Sequence, residues 1–172
     1  GDRMTGKSTL GIDAILNQAG KNVVWIYCCI GKTYSSLLKT IRLLQARRAG
    51  QKLAFRIMCT GSGQYMDVPA WLKEAGCQGV EFTFEDRQHW APDLADPLFQ
   101  QKHFRLIREL GKRYDGHPDL DLLDIGSVGL WGEWHMSGTT AVVTGKPVPL
   151  PSAELIDTII DEWRRAFPQT PK

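Results

Sequence analysis

Short apolar runs alternate with longer helical repeats along the chain, and this alternation constrains the fold more than any other feature. The runs that predict buried strands are rich in β-branched, aliphatic or aromatic residues and are each followed closely by a glycine, at 23–28, 53–59 and 120–125. Apolar residues recur every three or four positions in the stretches that predict helices, at 8–18, 35–49, 97–114 and 152–167. Strand and helix in alternation predict an α/β fold with a mainly parallel sheet.

Two long segments lack a clear period and are predicted as loops. Residues 76–97 contain prolines and aromatic residues without helical or strand spacing, and residues 126–151 follow the third predicted strand. A short helix is predicted at 69–75, where Pro69 suits the first turn. Long loops in compact domains often carry function, so both segments are candidate locations for a site.

Length and charge limit the classes of function. The 172 residues, 42% of them apolar, suffice for one compact core but not for two full-sized enzymatic domains. The charge is nearly balanced, with 21 Lys and Arg against 19 Asp and Glu, so we expect no nucleic-acid partner. No apolar run approaches the roughly 20 residues of a membrane span. These features favour a cytoplasmic location, although a start at Gly1 rather than Met leaves secretion open.

The first eight residues carry a phosphate-binding motif. Gly1, Gly6, Lys7 and Ser8 satisfy the spacing GxxxxGK[ST]. Glycines at these positions let backbone N–H groups surround a phosphate, while the lysine meets terminal phosphate oxygens and the serine hydroxyl meets Mg²⁺. The motif therefore predicts Mg-ATP as ligand, with Ser8 contacting the metal through the nucleotide.

The longer run GDRMTGKSTLGIDAILNQAGKNVVWIYCCIG resembles the ATP synthase alpha subunit, in which a phosphate loop, a helix and a strand follow in the same order and spacing. The resemblance implies a P-loop fragment over residues 1–45. It departs from the family at Met4, where the family has Gln, and at Lys32-Thr33 after the strand.

A second candidate site follows the third strand, in the sequence Trp131-Gly132-Glu133-Trp134-His135. Barrel enzymes place catalytic groups at the carboxyl ends of their strands, and apolar walls around a carboxylate favour a general acid. Indole faces match the C–H faces of sugar rings, and a histidine can hydrogen-bond a hydroxyl. Trp131, Trp134 and His135 are thus the predicted sugar-binding residues around Glu133. A Trp-rich loop that packs on its own fold, with Glu133 solvated, is the structural alternative.

Residues 46–172 resemble the first part of (β/α)8-barrel glycoside hydrolases of the beta-galactosidase-like group, most specifically in the run DPLFQQKHFRLIRELGKRYDGHPDLDLLDIGSVGLWGEWH. The resemblance implies that Glu133 is a general acid/base and that no cofactor is needed. Hydrolysis requires a second carboxylate, which such barrels take from a later strand, so we expect an incomplete catalytic pair. Asp124 is expected to be a structural hydrogen-bond acceptor.

Together the two resemblances predict an incomplete fold, either a partial barrel or an open, mostly parallel sheet with flanking helices. Its exposed sheet edges would favour self-association. Three functions stay open: a carbohydrate-active fragment centred on Glu133, an ATP-binding P-loop fragment, and a composite chain with no intact activity. Whether the chain is an enzyme is left undecided by the sequence.

Overall fold

A computed structural model describes the backbone of residues 23–29 and the whole of residues 50–172. The phosphate motif and the predicted helices at 8–18 and 35–49 lie outside the described residues. The described strands are β1 (Val23–Cys29), β2 (Lys52–Met58), β3 (Gly79–Phe84), β4 (Arg87–Pro92), β5 (Leu120–Asp124) and β6 (Thr140–Ala141). The described helices are α1 (Ala70–Glu74), α2 (Pro97–Tyr114) and α3 (Ala153–Ala166).

Three strands form a parallel sheet in the order β1-β2-β5. The sequence predicted all three within one or two residues of their bounds, and the parallel pairing is confirmed. The helix α2 lies between β2 and β5 in the chain, and its apolar residues pack in the same core as theirs. The described part of the chain is therefore a mixed α/β fold with a small parallel sheet and flanking helices, and no closed barrel forms within it.

The two faces of β2 have different partners because side chains alternate along a strand. Leu53, Phe55 and Ile57 are fully buried and belong to the main hydrophobic cluster with residues of α2 and α3. Arg56 alternates with them and faces the other side. The register between β2 and β5 shifts after Leu53, and the shift places Arg56 directly opposite Asp124.

Both long helices begin at a side-chain cap, as their sequences favour. Asp96 accepts hydrogen bonds from the backbone N–H groups of Leu98 and Phe99, with Pro97 in the first turn, and Ser152 caps α3. The helices approach closely at Gly111, where a Cβ atom would overlap the backbone of Ala166. The two helices are therefore in direct backbone contact where they cover the main hydrophobic core.

The prediction of a loop over residues 76–97 is wrong. The segment contains the antiparallel hairpin β3–β4, whose two turn residues, Glu85 and Asp86, have φ angles of 49° and 58°. Positive φ at both central positions is typical of the type I′ turn, whose twist matches that of the strands it joins. This turn usually requires Asn or Gly at those positions. The sequence signal was missed because Glu-Asp is an unusual pair for this turn.

The hairpin extends into a second, antiparallel sheet over the carboxyl ends of the parallel strands. Strand β6, within the predicted loop at 126–151, pairs with β3. Phe82 of β3 packs with Ala91 and Leu130 in a separate small core. Since Leu130 also bridges to Thr60, just after β2, the antiparallel sheet is tied to the end of the parallel sheet.

Candidate functional site

The loop that follows β5 is a compact turn held by its own backbone. Over residues 126–135, Leu130 N–H donates to the carbonyl of His135 at 2.7 Å, and Trp134 N–H donates to that of Val128 at 3.0 Å. Trp131 N–H donates to the Thr60 carbonyl at 2.8 Å, which fixes the loop to the end of β2. We call residues 126–135 the Glu133 loop. It lies at the carboxyl end of a parallel strand, where α/β folds bind ligands.

Two bulky residues of the Glu133 loop adopt a strained backbone. Trp131 and Trp134 have φ angles of 55° and 59°, a left-handed region that costs L-residues about 1–2 kcal/mol each. Such strain persists where the surrounding structure imposes it, and it concentrates at functional sites. The two strained residues flank Gly132 and Glu133 in the sequence.

Glycines make the turn sterically possible. A Cβ atom on Gly132 would overlap the backbone of Gly126, and one on Gly126 would overlap the side-chain stem of Arg56. The glycines of the GSVGLWGEWH run therefore serve close packing, a requirement that the sequence pattern alone did not reveal.

Glu133 lies at the surface, next to two potential cations. Its side chain is 50% exposed, with Oε1 3.3 Å from Arg56 Nη1 and Oε2 3.8 Å from His135 Nε2. The loop thus brings together Glu133 and His135, two of the predicted site residues. Their predicted roles in catalysis and sugar binding stay predictions.

The two predicted sugar-binding tryptophans pack on different cores. Trp131 contacts Phe84 of the hairpin edge-on, with ring centres 5.5 Å apart, and its indole N–H donates to Ser62 Oγ at 3.2 Å. Trp134 packs against the main core, and its indole N–H donates to the Ile125 carbonyl at 3.2 Å. Both indoles therefore anchor the loop. The T-shaped contact between Trp131 and His135, at 5.8 Å, keeps these two rings beside Glu133.

Arg56 is the residue that sequence reasoning missed. Its Nε donates to Asp124 Oδ2 at 2.8 Å, its Nη2 binds the same oxygen, and its Nη1 reaches Glu133 and the Trp131 carbonyl. One guanidinium thus lies between the two carboxylates. Asp124 acts as a hydrogen-bond acceptor for Arg56, as the sequence analysis expected. An arginine inside an otherwise apolar strand was the available signal.

A cavity of about 310 Å³ lies next to the Glu133 loop, between the hairpin and residues 148–151. Its wall includes Gly129 and Met136, but Glu133 does not line it. The cavity and the carboxylate are therefore separate features.

No metal cluster or membrane helix is found in the described residues. Across residues 50–172, no group of three or more His, Cys, Asp or Glu side chains is placed to hold a metal ion. In the same part of the chain, the helices are too short or too polar to cross a bilayer. The predicted nucleotide contacts lie outside the described residues; they are Gly1, Gly6, Lys7 and Ser8.

Comparison with known proteins finds relatives among ATP synthase alpha subunits. Over 110 residues, 64% of this chain, the sequence is 34% identical to ATP synthase subunit alpha 1 of Psychromonas ingrahamii, of which the match covers 20%. Over 49 residues, 28% of the chain, it is 51% identical to ATP synthase subunit alpha of Acholeplasma laidlawii and 53% identical to that of Mesomycoplasma hyopneumoniae. Each of these matches covers 10% of the relative. The chain thus spans a tenth to a fifth of the relatives' length.

These relatives support the resemblance to ATP synthase alpha subunits over part of the chain. They give no support to the resemblance to glycoside hydrolases. No protein-family model matches the sequence.

Proposed function

We propose that this chain binds Mg-ATP through the phosphate motif at its start. The observation that carries the proposal is the similarity to ATP synthase alpha subunits, at 51–53% identity over 49 residues, in a chain that contains a complete GxxxxGK[ST] motif. Backbone N–H groups around Gly1 and Gly6 would surround the phosphates, Lys7 would neutralise terminal phosphate oxygens, and Ser8 would contact Mg²⁺.

Replacing Lys7 tests this proposal. A hydrogen bond to a charged group contributes about 1.5–3 kcal/mol, so Lys7→Ala should weaken Mg-ATP binding at least about tenfold in equilibrium dialysis. Lys21→Ala removes the same charge at a sequence position outside the motif and should leave the affinity unchanged. Equal affinity of the two variants would exclude the proposed contact.

A second function, saccharide binding at the Glu133 loop, is favoured by the geometry of that loop. A strained turn at the carboxyl end of a parallel strand presents a half-exposed carboxylate beside Trp131 and His135. We propose binding only. Hydrolysis needs two carboxylates facing the scissile bond. Asp124, which shares Arg56 with Glu133, is paired with that guanidinium.

Tryptophan fluorescence provides the test of saccharide binding. We expect lactose or a β-linked galacto-oligosaccharide to change the emission of the unmodified chain and of Trp71→Ala, which removes a tryptophan that is 42% exposed on α1. Trp131→Ala should abolish the change. A response that survives in Trp131→Ala would place any bound sugar elsewhere.

A chain with neither activity is the third outcome. It would show as no nucleotide affinity and no saccharide response in these two experiments. The division at residue 45 and the expected self-association through sheet edges stay predictions.

A further inference from the structure

A buried polar network connects the Glu133 loop to the two long helices. Nε2 of His103, on α2, lies 2.8 Å from Oγ of Ser127, and the indole N–H of Trp163, on α3, donates to the same oxygen at 2.8 Å. All three residues are at most 3% exposed. One loop hydroxyl is therefore shared by two helices, out of contact with water.

The surroundings of His103 suit a neutral ring. Phe99 stacks on it, with ring centres 5.1 Å apart, and Phe104 lies nearby on the same helix. From the end of β2, the titratable group that faces the ring is Cys59, whose Sγ is 4.0 Å from Nδ1. The loop presents Ser127 and α3 presents Trp163, neither of which titrates in this pH range. None of these neighbours is a carboxylate that could pair with an imidazolium.

Ser127 stands at the base of the Glu133 loop. The residue before it, Gly126, packs against Arg56 and Gly132, and the residue after it, Val128, accepts the N–H of Trp134 at 3.0 Å. A displacement of Ser127 would therefore disturb the contacts of Gly126 with Gly132 and of Val128 with Trp134, on either side of Glu133.

Protonation of His103 conflicts with the closed arrangement. A charged ring needs water or a carboxylate, and separation of the loop from the helices would give it water. Burial lowers the pKa of His103 from 6.5 to about 4, so acid favours any state in which the ring is hydrated.

We propose that the His103–Ser127–Trp163 network is an acid-sensitive latch, in which protonation of His103 releases Ser127 and opens the Glu133 loop. The loop is closed at neutral pH and opens as the pH falls below the pKa of an ordinary histidine side chain. The latch is independent of which ligand the Glu133 loop binds.

The size of the effect follows from proton linkage. With a hydrated-ring pKa near 6.5 and a closed-state pKa near 4, the equilibrium constant for opening rises about 20-fold between pH 7 and pH 5. This window lies above the range in which ordinary carboxylates titrate.

Hydrogen–deuterium exchange of the full chain measures this opening. After correction for intrinsic exchange rates, peptides covering residues 126–136 should lose about 20-fold in protection between pH 7 and pH 5. Peptides covering β2 exchange through global unfolding, which the same proton linkage favours at low pH, so they should stay better protected than the loop at both pH values. A change below twofold in the loop of the unmodified chain, or protection in the loop equal to that of β2, would overturn the latch.

Two histidine variants identify the group responsible. His103→Gln keeps a hydrogen bond to Ser127 without titrating, so it should remove the pH dependence of the loop. His135→Gln removes the imidazole ring beside Glu133 and should retain the pH dependence of the loop. The reverse pattern would assign the effect to His135 and refute the proposal. Should His103→Gln not fold, the exchange ratio between the loop and β2 in the unmodified chain still decides.

Discussion

Gly132 and Gly145 both adopt left-handed backbone conformations, with φ angles of 71° and 63°, but they differ in their surroundings. A Cβ atom on Gly145 would meet nothing within 4 Å, whereas one on Gly132 would overlap the backbone of Gly126. At the residue scale, the Glu133 loop depends on the absence of side chains at two contacting glycines. A comparison of Gly132 with Gly145 therefore separates the cost of left-handed backbone strain from the cost of steric overlap.

Gly132→Ala should therefore destabilise the chain much more than Gly145→Ala. Left-handed strain alone should cost about 1 kcal/mol at Gly145, and overlap should raise the cost at Gly132 to about 3 kcal/mol. Urea unfolding of both variants measures the difference. Equal losses would mean that the close contact between Gly126 and Gly132 is not present in solution.

The ion pair between Arg56 and Asp124 gives a second prediction at this scale. Their side chains are 15% and 25% exposed, so the pair is partly shielded from water. A double-mutant cycle with Arg56→Met and Asp124→Asn should give a coupling free energy of about 1–2 kcal/mol. Pairing Arg56→Met with Asp121→Asn, whose carboxylate contacts Lys52 rather than Arg56, should give coupling near zero. Similar couplings in both cycles would contradict the assigned contact.

At the element scale, the hairpin β3–β4 couples the end of β2 to the Glu133 loop. Its outer face is fixed by Lys73, whose Nζ lies 2.9 Å from Glu81 Oε1 and 2.8 Å from the Tyr65 hydroxyl. Hydrogen bonding to Tyr65 and Glu81 raises the pKa of Lys73, and hydrogen bonds from Tyr65 and Lys73 lower the pKa of Glu81. These contacts attach the hairpin to α1.

The hairpin turn is a place where the natural sequence is suboptimal. Changing Glu85 to Asn and Asp86 to Gly supplies the residues that tolerate two positive φ angles, and should stabilise the chain by about 0.5–1 kcal/mol. The free energy of unfolding, compared with that of Glu85→Gln, measures the gain. A loss of stability would show that the turn has a different conformation.

The strands of the parallel sheet were predictable because they are short apolar runs, and the helices α2 and α3 because their apolar residues recur every three or four positions. The hairpin was not, since its turn lacks Asn or Gly. The contact of Arg56 with Asp124 and Glu133 was not predictable either. It depends on the register shift after Leu53, which is set by pairing across 68 positions of the chain.

At the scale of the whole molecule, the helix-side core contains a buried histidine. Because the pKa of His103 falls from 6.5 to about 4 on folding, the unfolded chain binds more protons between these values. Its contribution to stability is complete above pH 6.5 and is lost as the pH falls toward 4. The loss amounts to about 3 kcal/mol.

Urea unfolding at pH 7 and pH 4.5 measures this contribution. The pH-dependent loss should be smaller by about 2–3 kcal/mol in His103→Gln than in the unmodified chain. Carboxylates titrate in both proteins, so the difference isolates the histidine. His117→Gln, at a more exposed position, is the matched control and should behave as the unmodified chain. A loss of equal size in all three proteins would contradict the burial of His103.

Binding of Mg-ATP to the unmodified chain is the most direct test of the central proposal, that the phosphate motif at residues 1–8 binds nucleotide. Calorimetric titration with ATP, in the presence of Mg²⁺ and again in the presence of EDTA, gives the affinity and its dependence on the metal. We predict saturable binding of about one nucleotide per chain that is stronger with Mg²⁺. No binding at millimolar ATP, or binding that ignores Mg²⁺, would contradict the proposal.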